Sequence, residues 1–324
     1  MKNAFLIASA FLLLSIPFSL FSQTPHPIVH CLTMENDSAM RQQLGIGTID
    51  DFESWLAPLV ERQKHELATA TRNVVSLPIV FHVIHDGEAV GSGDNLAASY
   101  INAQIDQLNH DFRRTPGTSG FNNNPVGADT EIAFCPATVD PSGNSMAEPG
   151  INRIDRNMMG WTAPPYATCP FFFLLNTDYI DNTIKPQSQW DPDQYINIWV
   201  MDLNCGLLGY AQFPSASGLG GMPANGGPAN NDGVVIRTAS VGSTSLPNPS
   251  PSTFARGRTL THEIGHFFGL RHIWGDANCG NDFCADTPTQ AGSSNGCPNT
   301  TTCDGVNDMV ENYMDYSDDA CMNL

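Results

Sequence analysis

Positive charge is what this chain has least of. Its 324 residues hold 14 Lys+Arg against 33 Asp+Glu, a formal net charge of −19 at pH 7. That balance excludes nucleic acid as a partner, because phosphates need a basic surface. The shortage is sharpest at the end of the chain. From His272 to Leu324 there is no Lys or Arg, yet the stretch carries Asp276, Asp282, Asp286, Asp304, Asp308, Glu311, Asp315, Asp318 and Asp319. Carboxylates at that density repel one another unless a cation joins them, and calcium suits them outside the cell. A solvated acidic loop is the other reading. Such a surface also draws basic substrates.

Long apolar runs are missing too, with one exception. Lys2 precedes an apolar run from Ala4 to about Phe21, followed by the small Ser22. The pattern predicts a secretory signal peptide over residues 1–22. A retained membrane anchor is the alternative, since the run is near the lower length for a span. Once the signal is removed, no stable membrane association is expected. The destination is extracellular, or the periplasm or cell surface if the host is a bacterium. No internal repeat is present, which excludes solenoid architectures.

Export turns the nine cysteines into disulfide candidates. An odd number leaves at least one thiol unpaired within the chain. Cys279, Cys284, Cys297, Cys303 and Cys321 crowd the last fifty residues or so. Cys135, Cys169 and Cys205 lie upstream, with no pairing implied by sequence. Cys31 stands alone near the mature start.

The densest chemical signal is His262-Glu263-Ile264-Gly265-His266-Phe267-Phe268-Gly269-Leu270-Arg271-His272, the extended three-histidine zinc-protease signature. Residues four apart on a helix share a face, so His262 and His266 can address one ion. Gly269 can take a left-handed backbone without Cβ strain, ending the helix and turning the chain. His272 then approaches from outside the helix. Three imidazoles leave one coordination position for water, the catalytic pattern of zinc. Glu263, beside a ligand, is placed to take a proton from that water. The bland alternative, a surface helix with chance histidines, leaves Glu263 and Gly269 unexplained.

Around this motif the chain divides in two. Residues 23–72 read as a pro-region with one amphipathic helix (Phe52, Trp55, Leu56, Leu59, Val60). Residues 73–324 read as one catalytic domain, within the size a single core supports. A buried strand is predicted over 77–84, a helix over 98–112, and strands near 131–139 and 195–203. Short strands are predicted at 208–213 and 234–237, surface loops at 214–253 and the metal-site helix at 256–269. The remainder is irregular and cysteine-stapled.

The extended histidine motif together with Asn312-Tyr313-Met314-Asp315-Tyr316 resembles the metzincin clan. The phrases Leu270-Arg-His-Ile-Trp-Gly-Asp276, Ala285-Asp-Thr-Pro-Thr-Gln290, Tyr195-Ile-Asn-Ile-Trp199, Gly209-Tyr-Ala-Gln-Phe-Pro214 and Asp232-Gly-Val-Val-Ile236 are similar to the pappalysin family within it. The resemblance implies an α+β, two-lobed fold. Its upper lobe has a twisted, mixed, mostly parallel sheet, a backing helix and the active-site helix; its lower lobe is irregular and disulfide-stapled. It places Leu208–Phe213 on an edge to which a peptide can add as a strand, although an ordinary core strand fits those residues too. It implies a zinc metalloendopeptidase acting on protein or peptide substrates, with Met314 packed beneath the ligands. Tyr316 donates to the oxyanion, or is simply a buried, bonded tyrosine.

The same resemblance suggests the disulfides Cys279–Cys303 and Cys297–Cys321. Cys284 departs from the family pattern, where an apolar residue is common, and is a candidate partner for an upstream cysteine that the sequence does not single out. Asp282, Asp286 and Thr287 are the calcium-ligand candidates. Cys31 invites two readings: a thiolate filling the open zinc position in a latent zymogen, or an ordinary disulfide partner. Thr71-Arg72 suits maturation by cleavage before Arg72, in line with a preference for Arg or Lys at P1′. Asp318 or Asp319 would form the acidic wall, although Ala320 stands where the family has an acidic residue. The chain also ends sooner than the family pattern. The competing function is a catalytically weak, metal-stabilised binding or surface module, which has no use for Glu263.

Overall fold

In a computed structural model of the chain, residues 29–45, 47–67, 73–171, 174–213 and 229–324 are described. Residues 1–28 (with the predicted signal sequence), Thr71, Arg72 and residues 214–228 lie outside them. The strands are β1 Val29–Cys31, β2 Val75–His85, β3 Ile132–Pro136, β4 Ile151–Asp155, β5 Thr168–Phe171, β6 Leu174–Asn176, β7 Ile196–Met201, β8 Leu207–Ala211 and β9 Val234–Arg237. The α-helices are α1 Thr33–Leu44, α2 Ile49–Leu67, α3 Ala98–Phe112, α4 Arg156–Met159, α5 Lys185–Ser188 and α6 Arg258–Phe267.

The main sheet runs β1-β8-β9-β7-β2-β3, with β4 also on β2 beyond β3. All pairs are parallel except β8–β9. β2 is central, so both its faces are covered, and residues 79–84 form an uninterrupted buried run, as parallel sheets require. Ile79, Phe81 and Val83 face a core shared with Ile101, Ile105 and Leu108 of α3 and with Leu260 and Ile264 of α6. The opposite face packs Ile84, Trp199, Met201 and Tyr210 with Ile180 and Ile184. The α+β fold with a mixed, mostly parallel sheet is therefore as expected. The sequence reading missed β4 and the β5–β6 hairpin, and α6 is two residues shorter at each end than predicted.

A buried ion pair joins the two helices. Arg258 on α6 meets Asp111 on α3, and Asp111 also accepts from Thr261 Oγ1 (2.7 Å). Arg258 donates to Tyr313 Oη (3.2 Å) and to the Ser119 carbonyl (3.0 Å). One guanidinium thus fixes α6 against both its backing helix and the segment that carries Met314.

After α6 the described chain has no further helix or strand. With little core to hold it, this part is stapled by Cys279–Cys303 and Cys297–Cys321. Cys205 is also disulfide-bonded. Cys284 carries a free thiol, as do Cys31 and Cys135, which corrects the expectation of an upstream partner for Cys284.

The predicted edge strand is real but not an edge. β1 pairs with it in parallel, Val29 opposite Leu207 and Cys31 opposite Gly209. The chain then turns into α1, while α2 returns across the same face. Its Phe52 is buried with Met34 and Phe213, at 5.1 Å from the Phe213 ring, edge to face.

Candidate active site

The local chain explains how three imidazoles meet. α6 ends in a full left-handed cap: Gly269 has φ +94°, its N–H donates to the His266 carbonyl (2.8 Å), and Leu270 N–H donates to the Gly265 carbonyl (3.0 Å). The turn sends His272 back toward the helix. His266 Nε2 lies 3.1 Å from His262 Nε2 and 3.1 Å from His272 Nε2.

Each ring is aimed by its other nitrogen. Nδ1 of His262 faces the Tyr313 carbonyl (2.7 Å), that of His266 the Leu270 carbonyl (2.7 Å), and that of His272 the Asp276 carboxylate (2.5 Å). An acceptor at every Nδ1 puts the proton there, so three bare Nε2 lone pairs point at one spot. Facing lone pairs at this distance repel one another unless a cation lies between them. Tetrahedral zinc with ligands at about 2.0–2.1 Å sets them roughly 3.3 Å apart, close to what is observed. The donor set fits zinc.

The fourth corner comes from the other end of the chain. Cys31 Sγ and the three imidazoles all lie within 4.8 Å of one another, the one such His/Cys/Asp/Glu cluster among the described residues. Thr33 N–H donates to Cys31 Sγ (3.3 Å). Burial and the nearby Glu263 push the Cys31 thiol well up; a divalent cation reverses that order, because a coordinating thiol is deprotonated outright.

Glu263 is fully buried. Its Oε2 accepts from Thr33 Oγ1 (3.0 Å) and Cys31 Sγ (3.3 Å), while Oε1 has no hydrogen-bond partner. Burial lifts its carboxyl to about 8, although Cys31 and Thr33 pull it down. Burial lowers His262 to about 3, with His272 adding to the shift. A Cβ at Gly209 would meet Glu263 Cγ at 3.0 Å, so the glycine opposite Cys31 makes room for this carboxylate.

Met314 lies directly under α6: a Cβ at Gly265 would come within 2.4 Å of its sulfur. Tyr316 Oη is 3.0 Å from His272 Nε2. The His30 ring stacks on Tyr316 at 4.6 Å, at a recess lined by Thr259, His262, Glu263, Asp319 and Met322. Asp319 is buried, accepts from the main-chain N–H of Arg256 (2.7 Å), and is pushed up to about 7 by burial. Asp318 does not line the recess. Of the calcium candidates, Asp282 accepts from Thr287 Oγ1 (2.7 Å) and Cys284 N–H (3.0 Å), and Asp286 borders a cleft with Thr287, Asp308 and Glu311.

Sequence reasoning did not assign roles to Thr33, Asp276, His30 or the Tyr313 carbonyl. Asp276 was within reach: it stands four residues after a ligand candidate, where metal-site histidines want a carboxylate behind them.

A glycine-capped helix offering two imidazoles, a third from the turn beyond it and a methionine beneath are the marks of a metzincin-type metallopeptidase. The comparisons narrow the class. Residues 178–323 match the family model described as pregnancy-associated plasma protein-A, Peptidase M43. Mature mirolysin of Tannerella forsythia, solved with a cleaved peptide, is 34% identical with a TM-score of 0.63, over 78% of this chain and 88% of that one. A promirolysin variant from the same organism is 31% identical with a TM-score of 0.68, over 91% of this chain and 89% of that one. An extracellular metalloprotease of Verticillium alfalfae is 41% identical over 133 residues, which span 40% of this chain and 44% of the relative. The chain belongs to this pappalysin family of peptidases.

Proposed function

We propose that the chain is the zymogen of an exported zinc endopeptidase that hydrolyses peptide bonds in proteins. The observation that carries this reading is the convergence of His262, His266 and His272 beside Glu263 with the fourth corner filled by Cys31. Nothing else in the chain needs that pairing of a general base with a displaceable thiol. Zinc held by the three imidazoles supplies a Lewis acid and an acidified water.

The chain's own groups do the rest. Glu263 takes the proton of the attacking water at a carboxylate oxygen and returns it to the leaving amine. Tyr316 Oη donates to the developing oxyanion. β8 offers its free edge to the substrate backbone once β1 has left. The Asp319 recess receives the P1′ side chain, with Arg or Lys preferred. A signal over 1–22, a pro-region over 23–72 and a catalytic domain over 73–324 follow from this reading, as does calcium at Asp282, Asp286 and Thr287. The promirolysin likeness across 91% of the chain and the extracellular relatives support it.

The test is cleavage of a peptide library by zinc-loaded, processed protein, with and without calcium, beside Glu263→Gln. The unsubstituted protein should cleave before basic residues and stop with a chelator. Glu263→Gln should lose at least about a hundredfold in rate and keep one zinc. Full activity in Glu263→Gln would refute the assignment.

A further inference from the structure

α2 rests on the catalytic domain at two points, one on each side of the cleft. Phe52 docks on Phe213, two residues past β8. Its neighbour Glu53 reaches Arg271 on the opposite side, Oε1 to Nε at 3.1 Å, with Asp50 at 3.7 Å from Nη2. The Arg271 side chain is only 8% exposed. Its Nη2 is buried without a hydrogen-bond partner. Its guanidinium lies over the Phe283 ring at 4.6 Å. Phe283 has φ +64°, a conformation that bulky residues avoid and that persists where the surroundings impose it. Arg271 is also the last cation of the chain, with only neutral or acidic residues and His272 after it.

We propose that Arg271, seated on Phe283, is a subsite for an acidic side chain of the substrate, and that Glu53 fills it in the zymogen in place of that side chain. The proposal rests on the peptidase reading above. The pro-segment itself gives the side of the scissile bond. Going along β1, His30 faces the Asp319 recess, Cys31 stands at the imidazoles, and the following residues lead to Met34, Phe52 and Phe213. Arg271 therefore lies across Cys31 from the P1′ recess, on the non-primed side. A guanidinium offers a carboxylate a planar, two-pronged set of donors. When α2 leaves, the two charges facing Arg271 leave with it. On a rim otherwise acidic, one cation then marks one position along the peptide.

The test reads binding without turnover. Full-length Glu263→Gln protein is loaded with zinc and cut by trypsin after Arg72, and the released pro-segment is removed. It is titrated with fluorescent peptides that place Glu, or Gln in its stead, at each of four positions preceding a fixed Arg. At one position Glu should bind about fivefold tighter than Gln, and the difference should shrink as salt is raised. Arg271→Gln should erase the preference, and Arg271→Glu should transfer it to Lys. Should either variant fail to fold, the Glu/Gln pairs and their salt dependence on the Arg271 protein decide alone. Equal affinity at all four positions overturns the proposal. Absence of cleavage by protein that retains Glu263 would strike the peptidase reading instead, and these binding curves would still stand or fall by themselves.

Discussion

Replacing Asp276 with Asn weakens the grip on zinc without dismantling the site. His262 and His266 are oriented by backbone carbonyls of Tyr313 and Leu270, which no substitution removes. His272 depends on a side chain, through a 2.5 Å contact to Asp276. Asn keeps an oxygen acceptor there and loses the charge. It also tolerates the backbone, since Asp276 has φ +56°, where Asn is at home and Ala is strained. Trp274 stacks on the His272 ring at 4.3 Å and 5°, so the ring keeps its plane. Loss of such an outer partner costs about 10–100-fold in metal affinity. The retained acceptor and the stacked tryptophan place the effect near tenfold, about 1.4 kcal/mol. The measurement is competition against a chromophoric zinc chelator, in a Cys31→Ala background so that the three imidazoles alone carry the ion. Affinity within twofold of the parent would refute the reasoning, because Asp276 would then contribute nothing to His272. A complete loss of zinc would refute it from the other side, since His272 should remain a ligand.

Cys31→Ala should shorten the latent phase, with peptide cleavage by freshly purified full-length protein appearing earlier than in the parent; an unchanged lag would count against the thiol's role. Phe52→Ala removes the buried ring that joins Met34 and Phe213, a truncation costing about 3–5 kcal/mol. Amide exchange within α2 should rise and trypsin should reach Arg72 sooner, while the amides of β2 stay protected. Opening Cys297–Cys321 by a double Ser substitution releases a loop with a sequence separation of 24, worth about 3 kcal/mol in the chain-entropy account. A calorimetric melting point should fall by several degrees and protease sensitivity should concentrate after residue 268.

What could be read in the sequence followed the range over which its signals act. The helix, its glycine stop and the three imidazoles are spaced by local geometry, so eleven consecutive residues describe them. β2 announced itself because a strand covered on both faces is apolar at every position. β1 gave no such sign: Val29–Cys31 is three residues long, and its partner β8 lies far away in sequence. Thr33 joins Glu263 and Ala211 N–H only once that pairing exists. Whether Cys31 would meet another cysteine or the imidazoles was equally a matter of topology. Cys284, expected to find an upstream partner because it departs from the family pattern, carries a free thiol, an outcome set by where the chain folds rather than by its local sequence. In the lower lobe, acidic residues suggested ions by density alone. Some also organise the chain itself: Asp282 accepts from Thr287 within its own turn, and buried Asp315 ties down Gln290 and Ser294 from a distant loop.

The direction of β1 has a kinetic meaning. Lying parallel to β8, it makes the less stable of the two kinds of ladder, and over only three residues. Its own pairing is weak, so the tether, which keeps its local concentration in the millimolar range, adds to the Cys31, Phe52 and Glu53 contacts that hold the segment. On the zymogen reading proposed above, severing the tether would remove that advantage, and an incoming chain free to align the other way would compete with the severed segment for β8. On that reading, activation by such a cut runs forward, because the released segment meets the domain again only at its dilute bulk concentration.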